Sequence, residues 1–516
     1  MSQKIYYNNF IGGLSYSDKG GPGSSYFAGS EVNPVQAYPF GYYNYLVPER
    51  VPTNIDGMSA VTDLIVAMQL DPNTDNNYIA YGVGNAGKFY KVRSTLPEYV
   101  SGGGSWPYQI SAGVDGYHGG SAVGGDDLLN YKIGTTDYML YSWDTDVSGS
   151  VGTFNLETTF DDDFMALSAA GAGMLSAAVP HPMIEGDNGN VYIGNGNKLS
   201  SFDGQTGTYG TYTSNCLDLP VGMEITSLFK VNDYLGITAW KKMIASGLNT
   251  KSYVYLWDYV SESFNQVIPI DDNKITSSFN HNGTVYLFTT GRDKTFLKRL
   301  DSGGVKTIKR LHYITSSIDS WSLNPPKNKA VETMGSRVYF GTDGGYNCVF
   351  SYGNEFEDMN KSTVLNYMIS GTNGNIGMIK PYYTNKMYFS DYNGDGVYHL
   401  KKYDAGTNAY STTAYWAGLF TDFGQKVRIN YIKYFFKPLA SGDILTPTIS
   451  LDYGTAIALS DPVGVATITY SEDGAITSKR FNVKRDCYTI SPRLAWTGGS
   501  ATVQKIEIDY SPISDI

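Results

Sequence analysis

Seven times along the chain a tyrosine opens a short apolar run just after a polar turn, at Tyr78, Tyr138, Tyr192, Tyr234, Tyr286, Tyr339 and Tyr388. Successive copies lie 60, 54, 42, 52, 53 and 49 residues apart. Spacings of this size are close to the repeat length of sheet-bladed propellers and unlike that of helical solenoids. A single short repeat cannot bury both of its faces, so the pattern commits the chain to stacking its copies.

In the clearest copy, Val191-Tyr192-Ile193-Gly194 runs through Asn195-Gly196 into Lys198-Leu199-Ser200-Ser201-Phe202-Asp203. Asn-Gly between two strand-like runs is a strong hairpin signal, because both central residues of a type I′ turn need positive φ. Other copies turn on Thr342-Asp343-Gly344-Gly345 or Gly291-Arg292-Asp293. The second strand tends to close on an aromatic or leucine followed by aspartate, as in Phe202-Asp203, Trp257-Asp258, Leu300-Asp301 and Tyr403-Asp404. One such hairpin with a strand on either side makes a four-stranded blade. The tyrosines are therefore expected on the inner strands of about seven blades. Glycine-rich stretches at 101–104 and 119–125 interrupt the first two copies, so six blades with an N-terminal extension is an alternative, and a large tyrosine-rich β-sandwich is another.

Composition agrees with an all-β protein. The chain has 44 Tyr and 58 Gly with only 17% charged residues, which leaves little room for the Ala, Glu, Lys and Leu that build helices. Its 516 residues suffice for two or three cores. Cys216, Cys348 and Cys487 have no CxxC spacing and read as buried or half-buried thiols. The first ten residues show no apolar signal-peptide core, and the weakly polar stretch 164–180 is too short and glycine-broken to span a bilayer, so no membrane insertion is expected.

The repeat stops near Tyr410. Beyond it the strands lengthen: Val427, Ile429 and Tyr431 share one parity and Ile432, Tyr434 and Phe436 the other, which reads as a β-bulge within one strand. Ile506, Ile508 and Tyr510 alternate with Lys505, Glu507 and Asp509, as in a sheet with one wet face. The expected organisation is an extended segment over 1–57, a β-propeller over 58–412 and a β-sandwich over 413–516. Residues 413–516 carry 10 Lys and Arg and 10 Asp and Glu, leaving 28 against 39 on the first 412, so the whole formal charge of −11 sits on the first 412 residues. Neither part concentrates the Lys and Arg that phosphate binding requires.

No motif points to catalysis, and the chain is read as not an enzyme. Hydrolysis of a glycoside needs two paired carboxylates, and nothing in the sequence picks out a pair. Ser471-Glu472-Asp473-Gly474 and Asp161-Asp162-Asp163 read as a turn and a solvated loop. His118, His181, His281, His312 and His399 stand alone, without zinc-ligand spacing, and no GxSxG elbow or P-loop is present. No cofactor is expected. Asp391, Asn393 and Asp395, within Asp391-Tyr392-Asn393-Gly394-Asp395-Gly396, match the first half of a Ca²⁺ loop, but Lys402 stands where the twelfth-position glutamate belongs. The run reads first as a hairpin turn held by Asx bonds and only second as a metal site.

The leader from Phe10 to Phe27, the Val-Tyr-Ile-Gly hairpins, the junction Trp416-Ala417-Gly418-Leu419-Phe420-Thr421-Asp422-Phe423-Gly424 and the ending Ile506-Glu507-Ile508-Asp509-Tyr510-Ser511-Pro512 together resemble virion structural proteins of tailed bacteriophages. The resemblance spans nearly the whole chain through short, degenerate motifs. It implies a non-enzymatic tail component, of the nozzle type, forming a ring of identical subunits around the DNA exit channel, with other tail proteins as neighbours and DNA passing without specific binding. The alternative it implies is a tail-tip protein that binds a host surface receptor or glycan. Either would reside in the virion tail after assembly in the host cytoplasm.

Overall fold

The computed structural model describes residues 2–7, 13–15, 24–26, 52–55, 63–72, 79–85, 89–93, 108–109, 122–145, 149–156, 160–161, 175–205, 210–241, 251–290, 295–301, 304–311, 327–335, 337–341, 347–353, 362–369, 375–383, 386–392, 397–404, 413–418, 420–470, 476–498 and 501–513. Among these, every regular element is a strand. Alternating apolar runs separated by Gly- and Asn-rich turns fold into seven four-stranded antiparallel sheets and one larger sheet.

Blade 1 consists of Ile65–Leu70, Ile79–Gly84, Phe89–Arg93 and Tyr108–Gln109, and blade 2 of Ala122–Ile133, Thr136–Thr145, Gly149–Phe154 and Phe160–Asp161. Blade 3 takes Met183–Glu185, Val191–Asn195, Lys198–Asp203 and Thr211–Asp218; blade 4 takes Met223–Val231, Tyr234–Lys241, Ser252–Trp257 and Gln266–Ile270. Blade 5 holds Lys274–His281, Thr284–Thr290, Thr295–Asp301 and Gly304–Leu311, and blade 6 holds Val331–Met334, Arg337–Gly341, Asn347–Gly353 and Ser362–Ile369. Blade 7 has three strands from the end of the repeat, Asn375–Tyr383, Lys386–Tyr392 and Tyr398–Asp404, and a fourth, Thr53–Asn54, from the start of the chain. The first strand of each blade touches the first strand of the next, and that of blade 7 touches that of blade 1. The structure is therefore a closed seven-bladed propeller, not six blades with an extension.

The repeat tyrosines occupy the second strand, one place out from the axis, which is the opening strand of the flanked hairpin; Tyr78 lies outside the described residues. Tyr192, Tyr286, Tyr339 and Tyr388 are buried there, while Tyr138 and Tyr234 are half-buried. Tyr192 meets Trp257 of the next blade edge-on at 5.6 Å, a favoured aromatic geometry. The hairpin of blade 3 also shifts by one residue: Asn195 pairs with Lys198, so the turn is Gly196-Asn197 and only Gly196, at φ 62°, is left-handed.

Glycine closes these second strands for a packing reason. A Cβ at Gly194 would lie 2.9 Å from Ile225 of blade 4, and one at Gly341 would lie 2.3 Å from Ile376 of blade 7. The neighbouring blade's inner strand rests directly on the bare backbone. The Gly194 and Gly341 amides meanwhile donate to Pro182 O and Ala330 O, just ahead of their own inner strands, at 2.9 and 2.8 Å. The terminal aspartates of the third strands tie turns: Asp258 accepts from the Ser261 hydroxyl and amide, Asn265 and the Val260 amide, and these bonds hold its carboxyl well below the usual carboxylate range.

The last unit is one continuous antiparallel sheet whose buried residues form a single core, so the expected sandwich is a sheet folded over itself. Its backbone is two long strands, Thr421–Phe436 and Ser478–Thr497, with Thr413–Ala417, Ile444–Leu451, Ile457–Ala458, Ile468–Thr469 and Val503–Pro512 around them. The bulge falls at Asn430, where Ile429 faces Tyr510 and Tyr431 faces Asp509. Tyr431 therefore leaves the buried face, and its hydroxyl donates to Glu507 at 2.9 Å. The eighth strand is Gln3–Tyr7, paired with Val503–Pro512. The 1–57 segment thus contributes a strand to each unit. Ser2 and Lys4 bond Asp509 and Glu507, so the expected wet face of the last strand is largely covered there.

Of the junction motif, Trp416 is buried against Tyr7, and the Asp422 carboxylate accepts the Gly424 amide at 2.8 Å across a turn that needs φ 66° at Gly424. Of the leader, Gly13–Ser15 and Ser24–Tyr26 pair in parallel, and the rest lies outside the described residues. Cys216 and Cys487 are free thiols, pushed by burial up to about 11 and about 12.

Two stability measurements check this account. Gly341→Ala forces a methyl group into Ile376, and a loss of about 1–3 kcal/mol is expected in denaturant unfolding; an unchanged midpoint would contradict the blade contact. Asp258 is depressed in the folded state, so its contribution is present above its ordinary value of 3.8 and is lost as pH falls below it. Asp258→Ala should lower the thermal midpoint at pH 7, with the gap to the parent protein shrinking below about pH 4.

Candidate functional site

The inner strands carry a shared irregularity. Pairing with the second strand slips between Ile65 and Ala67 in blade 1, Ile225 and Ser227 in blade 4, Ile275 and Ser277 in blade 5, and Ile376 and Ile379 in blade 7. In blade 2 the slip leaves Asp126 as the extra residue between Gly125 and Asp127. Bulges re-aim side chains, and here the re-aimed residue is a carboxylate where other blades carry Val66, Thr226 and Thr276.

Asp127, next along, is buried and fully engaged. Its carboxylate accepts the Leu128 amide at 2.7 Å and the Met183 amide of blade 3 at 2.8 Å. It also receives Lys329 Nζ at 2.9 Å from the residues that lead into blade 6. Blades 2 and 6 lie on opposite sides of a seven-membered ring, so this ion pair crosses the propeller axis. Lys380, on the inner strand of blade 7, stands nearby: burial pushes its ammonium down, while Glu332 and Asp127 oppose that and Lys329 adds to it.

Other inner carboxylates are likewise tied to the fold. Asp63 accepts the Tyr90 hydroxyl. Asp272 receives the Thr289 hydroxyl and Lys298 Nζ, the latter at 2.6 Å. Asp391, one of the three Ca²⁺ candidates, sits buried on a strand of blade 7, where His399 Nδ1 approaches one oxygen at 2.7 Å and Lys401 Nζ the other at 3.5 Å. With an imidazole nitrogen on one oxygen and an ammonium near the other, that carboxylate is poorly disposed to hold a cation. Asn393 and Asp395 lie outside the described residues, as do His118, His312 and the 471–474 turn.

One group of side chains that the sequence reading left apart is brought together. Asp126, Asp144 and His181 each place one donor atom within 4.8 Å of the others. Asp126 comes from the bulge, Asp144 from the second strand of blade 2, and His181 from the link into blade 3. Asp126 Oδ2 accepts the His181 amide at 3.1 Å. Burial first, and the Asp144 charge second, push the Asp126 carboxyl up to about 8. These three residues could hold a metal ion. The signal that could have found them is the comparison of blades, in which Gly125-Asp126-Asp127 replaces Ile225-Thr226-Ser227 and Ile275-Thr276-Ser277.

No protein-family model matches the sequence, and no curated protein does. Among solved structures, the chain is similar to the computationally designed Ika8 protein, at 11% identity and TM-score 0.40 over 69% of this chain and 99% of that one. It is also similar to the Dos1 propeller, at 11% identity and TM-score 0.41 over 71% and 96% of the two chains. A third similarity is to an exo-β-1,3-galactanase from Phanerochaete chrysosporium with β-1,3-galactotriose, at 10% identity and TM-score 0.29 over 64% and 95%. Likenesses this remote assign no activity to the chain.

The axial ion pair makes a direct prediction. Lys329→Ala leaves Asp127 buried with backbone donors alone, and because Lys329 is itself a third exposed, a loss of about 1–3 kcal/mol is expected in urea unfolding. Restoration of the parent midpoint by Lys329→Arg, with no effect of Lys329→Met beyond that of Lys329→Ala, would mark the charge as the cause.

Proposed function

We propose that the protein is a non-enzymatic structural subunit of a tailed-phage virion, a nozzle-type tail component that assembles with identical copies in a ring around the DNA exit channel. The observation that carries this reading is how four buried carboxylates on or beside the two strands nearest the axis are used, the Asp126–Asp144 pair standing apart from them. Asp63, Asp127, Asp272 and Asp391 are bound to neighbouring strands or to lysines, which suits a rigid building block and leaves none of the four available as a general acid or base. The propeller's own axis is crossed by Lys329 and Asp127. A duplex whose major groove alone is about 12 Å wide does not pass there, so DNA has to run between subunits of a ring. The acidic surface, 39 Asp and Glu against 28 Lys and Arg on the first 412 residues, favours passage without adhesion. The N-terminal segment gives one strand to the C-terminal sheet and another to blade 7, which suits a part whose two units must stay together.

Particle reconstruction, or immunogold labelling of purified virions, tests the proposal. A ring of this chain on the DNA exit path is expected. Absence from virions sinks the reading, and labelling confined to a host-contacting tip replaces it with the receptor-binding alternative.

A further inference from the structure

His181 faces a conflict that its protein neighbours do not resolve. The ring is fully buried, with Nδ1 2.9 Å from the Gly194 carbonyl oxygen and Nε2 3.0 Å from the Ser176 carbonyl oxygen. A neutral imidazole has one N–H, so one nitrogen must turn a lone pair toward a carbonyl oxygen. A doubly protonated ring would satisfy both carbonyls only by placing a charge in a fully buried position. Two carboxylates stand beside the ring.

Two glycines let the side chains come close. A Cβ at Gly149 would lie 2.9 Å from His181 Nε2, and a Cβ at Gly124 would lie 2.8 Å from Asp144 Oδ1. Asp144 pairs in register with both glycines, so Nε2 sits over the third strand of blade 2 at the position directly beside Asp144. The link that carries Ser176 and His181 is pinned in place. Leu175 exchanges backbone bonds with Gly149, and the Ser176 amide donates to Asn195 at 2.7 Å.

We propose that Asp126, Asp144 and His181 Nε2, together with the Ser176 carbonyl oxygen, bind a divalent first-row transition-metal ion, Zn²⁺ or Mn²⁺, which ties blade 2 to the entry of blade 3. Metal–ligand bonds of about 2.1 Å place neighbouring ligands about 3 Å apart in an octahedral shell and about 3.4 Å apart in a tetrahedral one, so the 3.0 Å between Nε2 and Ser176 O is within a small adjustment of either. The Nδ1–H bond to Gly194 O is the outer contact that a ligating histidine uses to fix its tautomer. Two carboxylates balance the charge of the ion, and the imidazole favours a transition metal over Ca²⁺ or Mg²⁺. The role is structural, and it is independent of where the protein resides.

The full-length protein, stripped with chelator and dialysed, is titrated calorimetrically with Zn²⁺ and with Mn²⁺. One ion per chain is expected, with a rise in thermal midpoint on binding. Asp126→Asn and Asp144→Asn should weaken binding at least about 10–100-fold while the metal-free variants keep their strand circular dichroism. Absence of saturable binding, or binding unchanged in both variants, overturns the site, and uptake of Ca²⁺ or Mg²⁺ with neither Zn²⁺ nor Mn²⁺ overturns the ligand set. Should the variants not fold, pulsed EPR of Mn²⁺ on the parent protein decides: an imidazole nitrogen coupling supports the site, and its absence rejects it.

Discussion

Closure of the ring is the constraint on which the other features depend. Each blade hides its faces only against two neighbours, so blade 7 must meet blade 1 for any of them to be complete. The seam is held at two radii. Near the axis the Ser390 hydroxyl donates to Ile65 O at 2.5 Å, and Gly377 admits that carbonyl so closely that a Cβ would lie 2.2 Å from it. At the rim Thr53–Asn54 adds the fourth strand to blade 7, with Lys401 Nζ on Asn54 Oδ1 at 2.8 Å. A strand from residue 53 therefore completes a blade that ends at residue 404, and the ring cannot be finished until most of the chain is in place. Such long-range pairing makes folding slow and the finished ring cooperative.

The same segment has a second anchor. Gln3–Tyr7 lies along Val503–Pro512, with Tyr7 against Trp416 and its hydroxyl 2.5 Å from Thr421. Ser2 and Lys4 meet Asp509 and Glu507, so the two acids are covered and partnered at once. The first residues thus protect a sheet edge that could template pairing with another chain. The folded sheet and the propeller share one N-terminal clasp, so loss of either anchor leaves an incomplete sheet in one unit.

How much of this was legible follows from the range of each interaction. The repeat period, the all-β class and the change of character near residue 410 are local patterns, and the structure carries a propeller followed by a separate sheet. The parity switch around Tyr431 was legible as well, although the bulge falls on Asn430, because Asn430 side-chain bonds to Asp509 and Ser511 draw that residue out of register. The tyrosines sit on the second strand, as a hairpin flanked by a strand on either side places them. The number of blades was left open, because only contacts between blades close the ring. The final glycine of the Val-Tyr-x-Gly runs carries no local signal of its own, because its reason is Ile225 or Ile376 from the following blade.

The cluster around His181 was hidden for a related reason. Asp126 and Asp144 are 18 residues apart and His181 is 37 further on, with no ligand spacing to notice. What joins them is a one-residue slip in an inner strand, which leaves Asp126 as an extra residue without a partner in the second strand and so re-aims its side chain. Because the slip recurs in blades 1, 4, 5 and 7, it belongs to the scaffold and not to the site. Blade 2 has placed charge on a geometry that the other blades use with Val66, Thr226 and Thr276. Local chemistry on this fold can thus change by one substitution at a bulge, with the ring contacts on either side left intact.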